Sequence, residues 1–223
     1  MSIFLSNLWS IFLKGGPIMW PLLVLSILSI TIIIDKWVMV AAINRRWNQS
    51  RDKIFSLVRA MKLKEAVNAT DEAPLLLGRV LKTGILKYGS SRETILTVME
   101  QALLIEANEV KQRMGILATI VNLAPLLGLL ATIIGLTAVF QAVHMRSNAL
   151  NPLGLGDMAS GIWQALVSTS TGLAIGTLAF VGHAFLASRI NDMLVDTQEI
   201  MFELTNLLAS LWEGERAKDG HEN

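Results

Sequence analysis

The chain contains no cysteine, and only 17% of its 223 residues are charged. The absence of cysteine excludes disulfide bonds, thiolate zinc sites and cysteine nucleophiles. The shortage of charge excludes an ordinary soluble domain, in which about a quarter of the residues are charged. The formal net charge of +1 gives no reason to expect a nucleic-acid partner. Because no catalytic triad, metal-ligand cluster, phosphate-binding glycine loop or pair of catalytic carboxylates stands out, we expect no enzyme activity, no cofactor and no bound metal.

Three long segments lack Asp, Glu, Lys and Arg altogether: residues 15–34, 115–145 and 158–188. Each is long enough to supply the about 20 apolar residues that a helix needs to cross a bilayer. The sequence therefore predicts an all-α integral membrane protein embedded in a lipid bilayer, with three transmembrane helices at residues 15–34, 115–143 and 158–188. The first segment is longer than the apolar region of a secretory signal and has no cleavage site at its end, so we expect it to be retained.

The basic residues are concentrated in one connecting segment. Residues 35–114 hold 14 of the 19 Lys and Arg residues, and the positive-inside rule places such a segment in the cytoplasm. The N-terminal residues 1–14 and the short loop at residues 144–157 then lie outside, and the tail at residues 189–223 returns to the cytoplasm. The N-terminus is predicted outside and the C-terminus inside.

Two stripes of apolar or small residues, at spacings of three and four, predict amphipathic helices in the polar segments. One stripe runs from Leu96 to Met114 without Pro or Gly, and the other runs from Ile190 to Leu211. We therefore expect the second and third transmembrane helices to extend into a cytoplasmic helical bundle. The two stripes pack either within the chain or between subunits.

The basic region before the first stripe is less regular, and residues 43–89 predict short helices. Residues 71–74 (DEAP) and 88–91 (YGSS) are typical of turns. Ser91 is a candidate helix start, because its hydroxyl stands three residues before Thr94. The last residues, 213–223, show no periodicity and are expected to fray.

Small residues recur at every fourth position in the second and third spans. This spacing lets two helices approach closely without bulky side chains between them. It predicts helix packing at Ala124, Gly128, Gly135, Gly172 and Gly176. Thr132 continues the row of Ala124 and Gly128.

Polar side chains also occur inside these spans: Thr132, Gln164, Ser168, Thr169 and Thr171. Polar groups in hydrocarbon are costly, so they are candidates for function; the alternative is that they only bond to backbone carbonyls or across helices. No carboxylate lies in any span, so this chain alone cannot be a complete proton-driven machine. His144 and His183 lie at the ends of the spans and are interpreted as interfacial residues rather than proton relays.

Three motifs follow one another along the chain. They are GGPIMWP at residues 15–21, followed by an apolar run and the pair Asp35-Lys36, then APLLGLLATIIG at residues 124–135, and QALVSTSTGL at residues 164–173. In this order they resemble the family of ion-driven motor subunits that includes ExbB, TolQ and MotA. The resemblance covers nearly the whole chain. MotA proteins generally have four spans, so this chain is most similar to the ExbB/TolQ branch.

The resemblance implies a complex in the bacterial inner membrane, with residues 1–14 and 144–157 in the periplasm. In it, a homopentamer of this chain surrounds a dimer of a single-span ExbD/TolR-like partner. That partner supplies the membrane aspartate that takes up the proton. The family threonines that face the aspartate fall on Thr132 and Thr169, and the predicted ion pathway also includes Gln164 and Ser168.

Three positions depart from the family pattern. Gln164 replaces a glutamate, Leu178 replaces a proline, and Ala131 replaces the glycine before the second-span threonine. An amide at position 164 can form hydrogen bonds but cannot change its charge, so this subunit contributes no titratable group there.

The expected function is that of an ion-conducting, proton-driven motor subunit that converts the proton motive force into work on the periplasm or outer membrane. The sequence leaves sodium as an alternative ion. The competing interpretation is a non-conducting membrane scaffold or signalling subunit, for which Gln164 is the best sequence argument. A solute transporter is a third alternative, against which three spans without an internal repeat count.

Overall fold

The structure is a computed structural model that describes residues 15–146 and 155–219. Within these ranges the backbone forms six α-helices and no strand. They are α1 (Met19–Arg59), α2 (Leu63–Glu72), α3 (Leu75–Ile85), α4 (Arg92–Lys111), α5 (Met114–Arg146) and α6 (Leu155–Asp219). The predicted all-α class is confirmed.

The described residues divide into two compact units. The membrane unit comprises residues 15–34, 113–146 and 155–185, and the bundle unit comprises residues 35–112 and 186–219. The divisions therefore fall inside α1, between α4 and α5, and inside α6.

Three of the described helices are long and apolar enough to cross a membrane: Met19–Arg59, Met114–Met145 and Met158–Arg216. Large apolar side chains are exposed on all three, among them Ile30, Ile133 and Phe180. Lipid or neighbouring helices cover exposed apolar surface of this kind in a membrane protein. The three predicted spans are thus present as helices, except that residues 15–18 of the first span form a turn before α1. The chain is an integral membrane protein.

In the membrane unit, the first turns of α1 pack against the other two helices. Met19 and Leu22 on α1 form a buried cluster with Ala124 on α5. Partly buried apolar side chains surround this cluster, including Leu127 on α5 and Ile175 on α6. The start of α1 is therefore held by both α5 and α6.

In the bundle unit, long apolar side chains from four helices, α1, α3, α4 and α6, form the core. The largest fully buried ones are Ile54, Leu76, Leu77, Leu81, Ile95, Met99, Leu186, Ile190 and Met201. Gly84 on α3 leaves space for Met99 on α4, since a Cβ atom there would stand 2.3 Å from the methionine sulfur. The Thr205 hydroxyl on α6 also lies 3.6 Å from this sulfur.

The predicted stripe on α6 is confirmed. All its positions from Ile190 to Leu211 are buried or partly buried, and Asp192, Asp196 and Glu199 are exposed. The stripe on α4 is confirmed at Met99, Leu103 and Val110. Its buried face begins at Ile95 rather than Leu96 and also includes Glu106, which the apolar pattern did not indicate.

The expectation of an unbroken helix from Leu96 into the second span is wrong. α4 ends at Lys111, Gln112 has an extended backbone (φ −54°, ψ 140°), and α5 begins at Met114. Arg113 between them has φ 70°, in the left-handed region that side chains other than glycine rarely adopt. Two residues with non-helical dihedrals interrupt the helix without shifting its apolar spacing, so periodicity alone could not reveal the break.

The first transmembrane helix, by contrast, continues without a break to Arg59, so residues 43–59 are part of α1 rather than separate short helices. The expected short helices are found further on, as α2 and α3. The turn at 88–91 is confirmed, whereas Asp71 and Glu72 of the predicted turn at 71–74 belong to α2 and only residues 73–74 connect it to α3. The Thr94 N–H donates a hydrogen bond of 3.2 Å to the Ser91 Oγ.

The helix bounds in the predicted loop at 144–157 and in the C-terminal tail also differ from expectation. α5 continues to Arg146 and α6 begins at Leu155, so parts of the predicted loop at 144–157 are helical. Residues 213–219 belong to α6 rather than being frayed, because tertiary contacts such as that of Glu215 with Tyr88 hold them. The predictions for residues 1–14, 147–154 and 220–223 lie outside the described residues.

Candidate functional site

The helices α5 and α6 approach each other so closely that several glycine positions in the contact have no space for a side chain. A Cβ atom on Gly172 would stand 2.6 Å from the carbonyl oxygen of Ala124, and one on Gly128 would stand 3.2 Å from the Cα of Thr169. A Cβ atom on Gly135 would stand 3.0 Å from the Cβ of Ala165. The small residues assigned to helix packing therefore lie where the two backbones meet.

Gly176 on α6 packs against a proline inside α5. Pro125 lies inside this helix and cannot donate a backbone hydrogen bond to Val121, four residues earlier. A Cβ atom on Gly176 would stand 2.6 Å from the Pro125 ring and 3.3 Å from the Val121 carbonyl oxygen. The absence of a side chain at Gly176 lets α6 pack directly against the proline turn.

Between these contacts, the hydroxyls of Thr132 on α5 and Thr169 on α6 are hydrogen-bonded to each other. The Thr169 Oγ1 lies 2.9 Å from the carbonyl oxygen of Gly128 and 3.1 Å from that of Ala165. The Thr132 Oγ1 lies 3.3 Å from the Ala165 oxygen and 3.4 Å from the Gly128 oxygen. We call these two hydroxyls, with the two carbonyl oxygens, the hydroxyl cluster.

The hydroxyl cluster has more acceptors than protons. Each threonine hydroxyl donates one hydrogen bond and accepts up to two, whereas each of them lies near two carbonyl oxygens and the other hydroxyl. Both threonines are only partly buried. By rotating its O–H bonds, the cluster can therefore offer either a donor or an acceptor to a third group without any movement of the helices.

Gln164 and Ser168 are not part of the hydroxyl cluster, although both were predicted to lie in one ion pathway with Thr132 and Thr169. The buried Ser168 hydroxyl lies 2.6 Å from the carbonyl oxygen of Gly15 and 3.0 Å from that of Gln164. The Gln164 amide lies against Gly16, where a Cβ atom would stand 2.0 Å from the amide nitrogen. These two side chains contact the turn that precedes α1.

Several other hydroxyls in the membrane unit bond within their own helix. Thr137 donates to the carbonyl of Ile133 at 2.7 Å, and Thr177 donates to that of Leu173 at 2.8 Å. Thr171 similarly donates to its own helix, at the carbonyl of Val167. Such bonds are common for threonine in helices. The hydroxyls of Thr132 and Thr169 differ from these because they also bond to the neighbouring helix.

The backbone acceptors of either arrangement were not among the residues predicted from the sequence. The oxygens of Gly128 and Ala165 accept from threonine hydroxyls, and that of Gly15 accepts from Ser168. The available signal was the small size of these residues, because only a small side chain leaves a carbonyl open to a neighbouring helix. In the described residues, no three His, Asp or Glu side chains come together as a metal site requires.

Comparison with known proteins gives consistent matches. The model of the MotA/TolQ/ExbB proton channel family matches residues 72–199, which include the hydroxyl cluster. Biopolymer transport protein ExbB-like 1 of Synechocystis is 30% identical over 210 residues, which cover 90% of this chain and 79% of that protein. ExbB-like 3 of the same organism is 31% identical over 171 residues, with 75% and 80% covered.

A third relative, an ExbB homologue of Methanothermobacter thermautotrophicus, is 26% identical over 159 residues. These residues cover 71% of this chain but only 52% of that protein, so the chain spans about half of its length.

Proposed function

Because the chain belongs to the MotA/TolQ/ExbB proton channel family, we propose that it is the ion-conducting subunit of a motor complex in the bacterial inner membrane. The complex uses the flow of protons to do work on the periplasm or outer membrane. The names of the relatives, which refer to ExbB and biopolymer transport, support a role of this type. One proton that crosses 100 mV releases about 2.3 kcal/mol, so a few protons per stroke suffice for a conformational step.

The proposed complex needs a partner that carries a proton acceptor. The three spans contain no Asp or Glu, and Gln164 stands where the family has a glutamate. We therefore propose a homopentamer of this chain around a dimer of an ExbD/TolR-like single-span protein, whose membrane aspartate is titrated. The proposed orientation has residues 1–14 and 144–157 in the periplasm, and residues 35–114 and 189–223 in the cytoplasm.

The observation that carries the proposal is the hydroxyl cluster of Thr132 and Thr169. A hydroxyl can donate to an ionised carboxylate and accept from a protonated one. Two mutually bonded hydroxyls at a partly exposed position can follow such a change by rotating their O–H bonds. The cluster is thus suited to face a partner aspartate in both of its protonation states.

The test is proton flux into liposomes that contain the chain and a co-expressed single-span partner, measured with a pH-sensitive dye. Thr132→Val and Thr169→Val keep the side-chain shape and remove the hydroxyl, and each is expected to abolish most of the flux. Thr137→Val and Thr177→Val are matched controls, because these hydroxyls bond only within their own helices. Undiminished flux in both cluster variants would refute the assignment.

The same preparation distinguishes the scaffold alternative. Replacing the partner's membrane aspartate by asparagine sets the background flux. An intact complex of unaltered chain and partner that conducts no more than this background would identify the chain as a non-conducting scaffold or signalling subunit.

A further inference from the structure

The turn before α1 is bound to α6 by a hydrogen bond from a buried serine. The Ser168 side chain is 1% exposed, and its Oγ donates to the carbonyl oxygen of Gly15 at 2.6 Å. This carbonyl is not used by the first turn of α1, because the Met19 N–H donates to the oxygen of Gly16 at 3.1 Å. Ser168 therefore supplies a hydrogen bond that the helix itself does not provide.

The backbone of the turn leaves no space for side chains at its two glycines. Gly16 has φ +79°, and a Cβ atom on it would stand 2.0 Å from the amide nitrogen of Gln164. A Cβ atom on Gly15 would stand 2.4 Å from the Cγ of Met19. Gln164 and Met19 thus enclose the turn, and Ser168 bonds to it.

We propose that Ser168 and Gln164 are positioning residues, which seat the Gly15–Gly16 turn on α6 and thereby fix the rotation of α6 at which Thr169 meets Thr132. Ser168 and Thr169 are consecutive, so their side chains lie about 100° apart around the helix. A rotation that releases Ser168 from the turn also moves the Thr169 hydroxyl away from α5. The consequence for conduction rests on the proposed function; the seating of the turn does not.

When the hydrogen bond between Ser168 and Gly15 breaks, the serine keeps another hydrogen-bond partner, but the Gly15 carbonyl loses its side-chain donor. The Ser168 hydroxyl can still donate to the carbonyl oxygen of Gln164, 3.0 Å away on its own helix. The Gly15 carbonyl is left without this donor at a buried residue that lies against the apolar Met19 side chain, and an unpaired polar group there is unfavourable. Removal of the serine hydroxyl should therefore release the turn from α6 without breaking a hydrogen bond of the α6 backbone, and α6 then loses the contact that fixes its rotation.

The test uses spin labels, which the absence of native cysteine makes specific. Cysteines replace the exposed Val24 on α1 and Leu173 on α6, and the nitroxide distance within one chain is measured after dilution with unlabelled chain in the reconstituted complex. Ser168→Ala is expected to broaden the distance distribution, with the displaced population raised about tenfold. Ser170→Ala is the matched control, since the Ser170 hydroxyl bonds only to the carbonyl of Val167.

Gly16→Ala tests the same contact from the other side and should broaden the distribution in the same way, because alanine rarely adopts a φ of +79° and its Cβ would force the Gln164 amide to move. Proton flux is measured on the same samples, and both variants are expected to lower it while Ser170→Ala does not. An unchanged distance distribution in Ser168→Ala and Gly16→Ala would overturn the seating of the turn. A broadened distribution with full flux would overturn the positioning of Thr169.

These outcomes separate this inference from the proposed function. If the valine variants of the hydroxyl cluster conduct normally, the proposed pathway fails, whereas the label distances still decide whether Ser168 seats the turn.

Discussion

The hydroxyl of Thr169 on α6 donates a hydrogen bond of 2.9 Å to the main-chain carbonyl oxygen of Gly128 on α5. A side chain as short as threonine can reach the backbone of another helix only where the helix axes are close. The missing Cβ of Gly128 permits this approach, since such an atom would stand 3.2 Å from the Thr169 Cα. Helix packing and the hydroxyl cluster are therefore parts of one contact, and a change in packing should disturb the hydroxyls.

Gly172→Ala is expected to destabilise the contact between α5 and α6. The added Cβ would stand 2.6 Å from the Ala124 carbonyl oxygen and 2.9 Å from the Gly128 Cα, both of which belong to the backbone and cannot move aside cheaply. The cost of such overpacking is about 1–3 kcal/mol, and thermal unfolding in detergent should show a lower Tm. Gly115→Ala is the control, because nothing lies within 4 Å of its added Cβ, and its Tm should stay the same or rise.

Thr132→Val and Thr169→Val should affect stability non-additively, because the two hydroxyls are bonded to each other. Each single change removes the same mutual bond, so the double variant should lose less than the sum of the single losses. The expected coupling is about 0.5–1.5 kcal/mol, measured by a double-mutant cycle on the free energy of unfolding. Thr132→Val combined with Thr177→Val should be additive; equal additivity for both pairs would mean that the hydroxyls do not interact.

Arg79→Met is expected to destabilise the bundle unit, although the arginine itself is exposed. Its Nη1 lies 2.9 Å from a carboxylate oxygen of Glu106, whose side chain is only 7% exposed. Loss of the guanidinium leaves this buried carboxylate without that partner, whereas Glu106→Leu removes the buried charge itself and should be nearly neutral. Chemical denaturation should show a lower midpoint for Arg79→Met and recovery in the double variant; Lys62→Met, which breaks an exposed pair, should have little effect.

Tyr88 should give the bundle unit a stability that is lost at high pH. Burial, together with the hydrogen bond of 2.8 Å to Glu215 and the charge of that carboxylate, raises the pKa of Tyr88 to about 12. Because the folded protein holds this proton more tightly than the unfolded chain, whose tyrosine pKa is about 10, the contribution is complete below about pH 10 and disappears as the pH rises to about 12.

The chain has one tyrosine, so absorbance of the tyrosinate reports this titration directly. Glu215→Gln should lower the midpoint and keep the edge-on contact between the Tyr88 and Trp212 rings, whose centroids lie 5.9 Å apart. An unchanged midpoint in Glu215→Gln would contradict the contribution of the carboxylate.

The class of this protein follows from its sequence. The charge-free segments mark three helices that can cross a membrane, because the bilayer excludes charge and sets a minimum length. The stripe from Ile190 to Leu211 likewise identified the buried face of α6, since helical periodicity is local. These features depend on the order of residues along one helix and on no contact with another.

The grouping of the polar residues in the spans depends on contacts between helices. Thr132 meets Thr169 across 37 positions of the chain, and Ser168 meets Gly15 across 153, so spacing within one helix could not separate the two sites. The break at Arg113 depends on backbone dihedrals that leave the apolar pattern unchanged. The burial of Glu106 depends on Arg79, which another helix supplies. A local pattern identifies the face of a helix, whereas the neighbour that covers it is selected by packing over the whole fold.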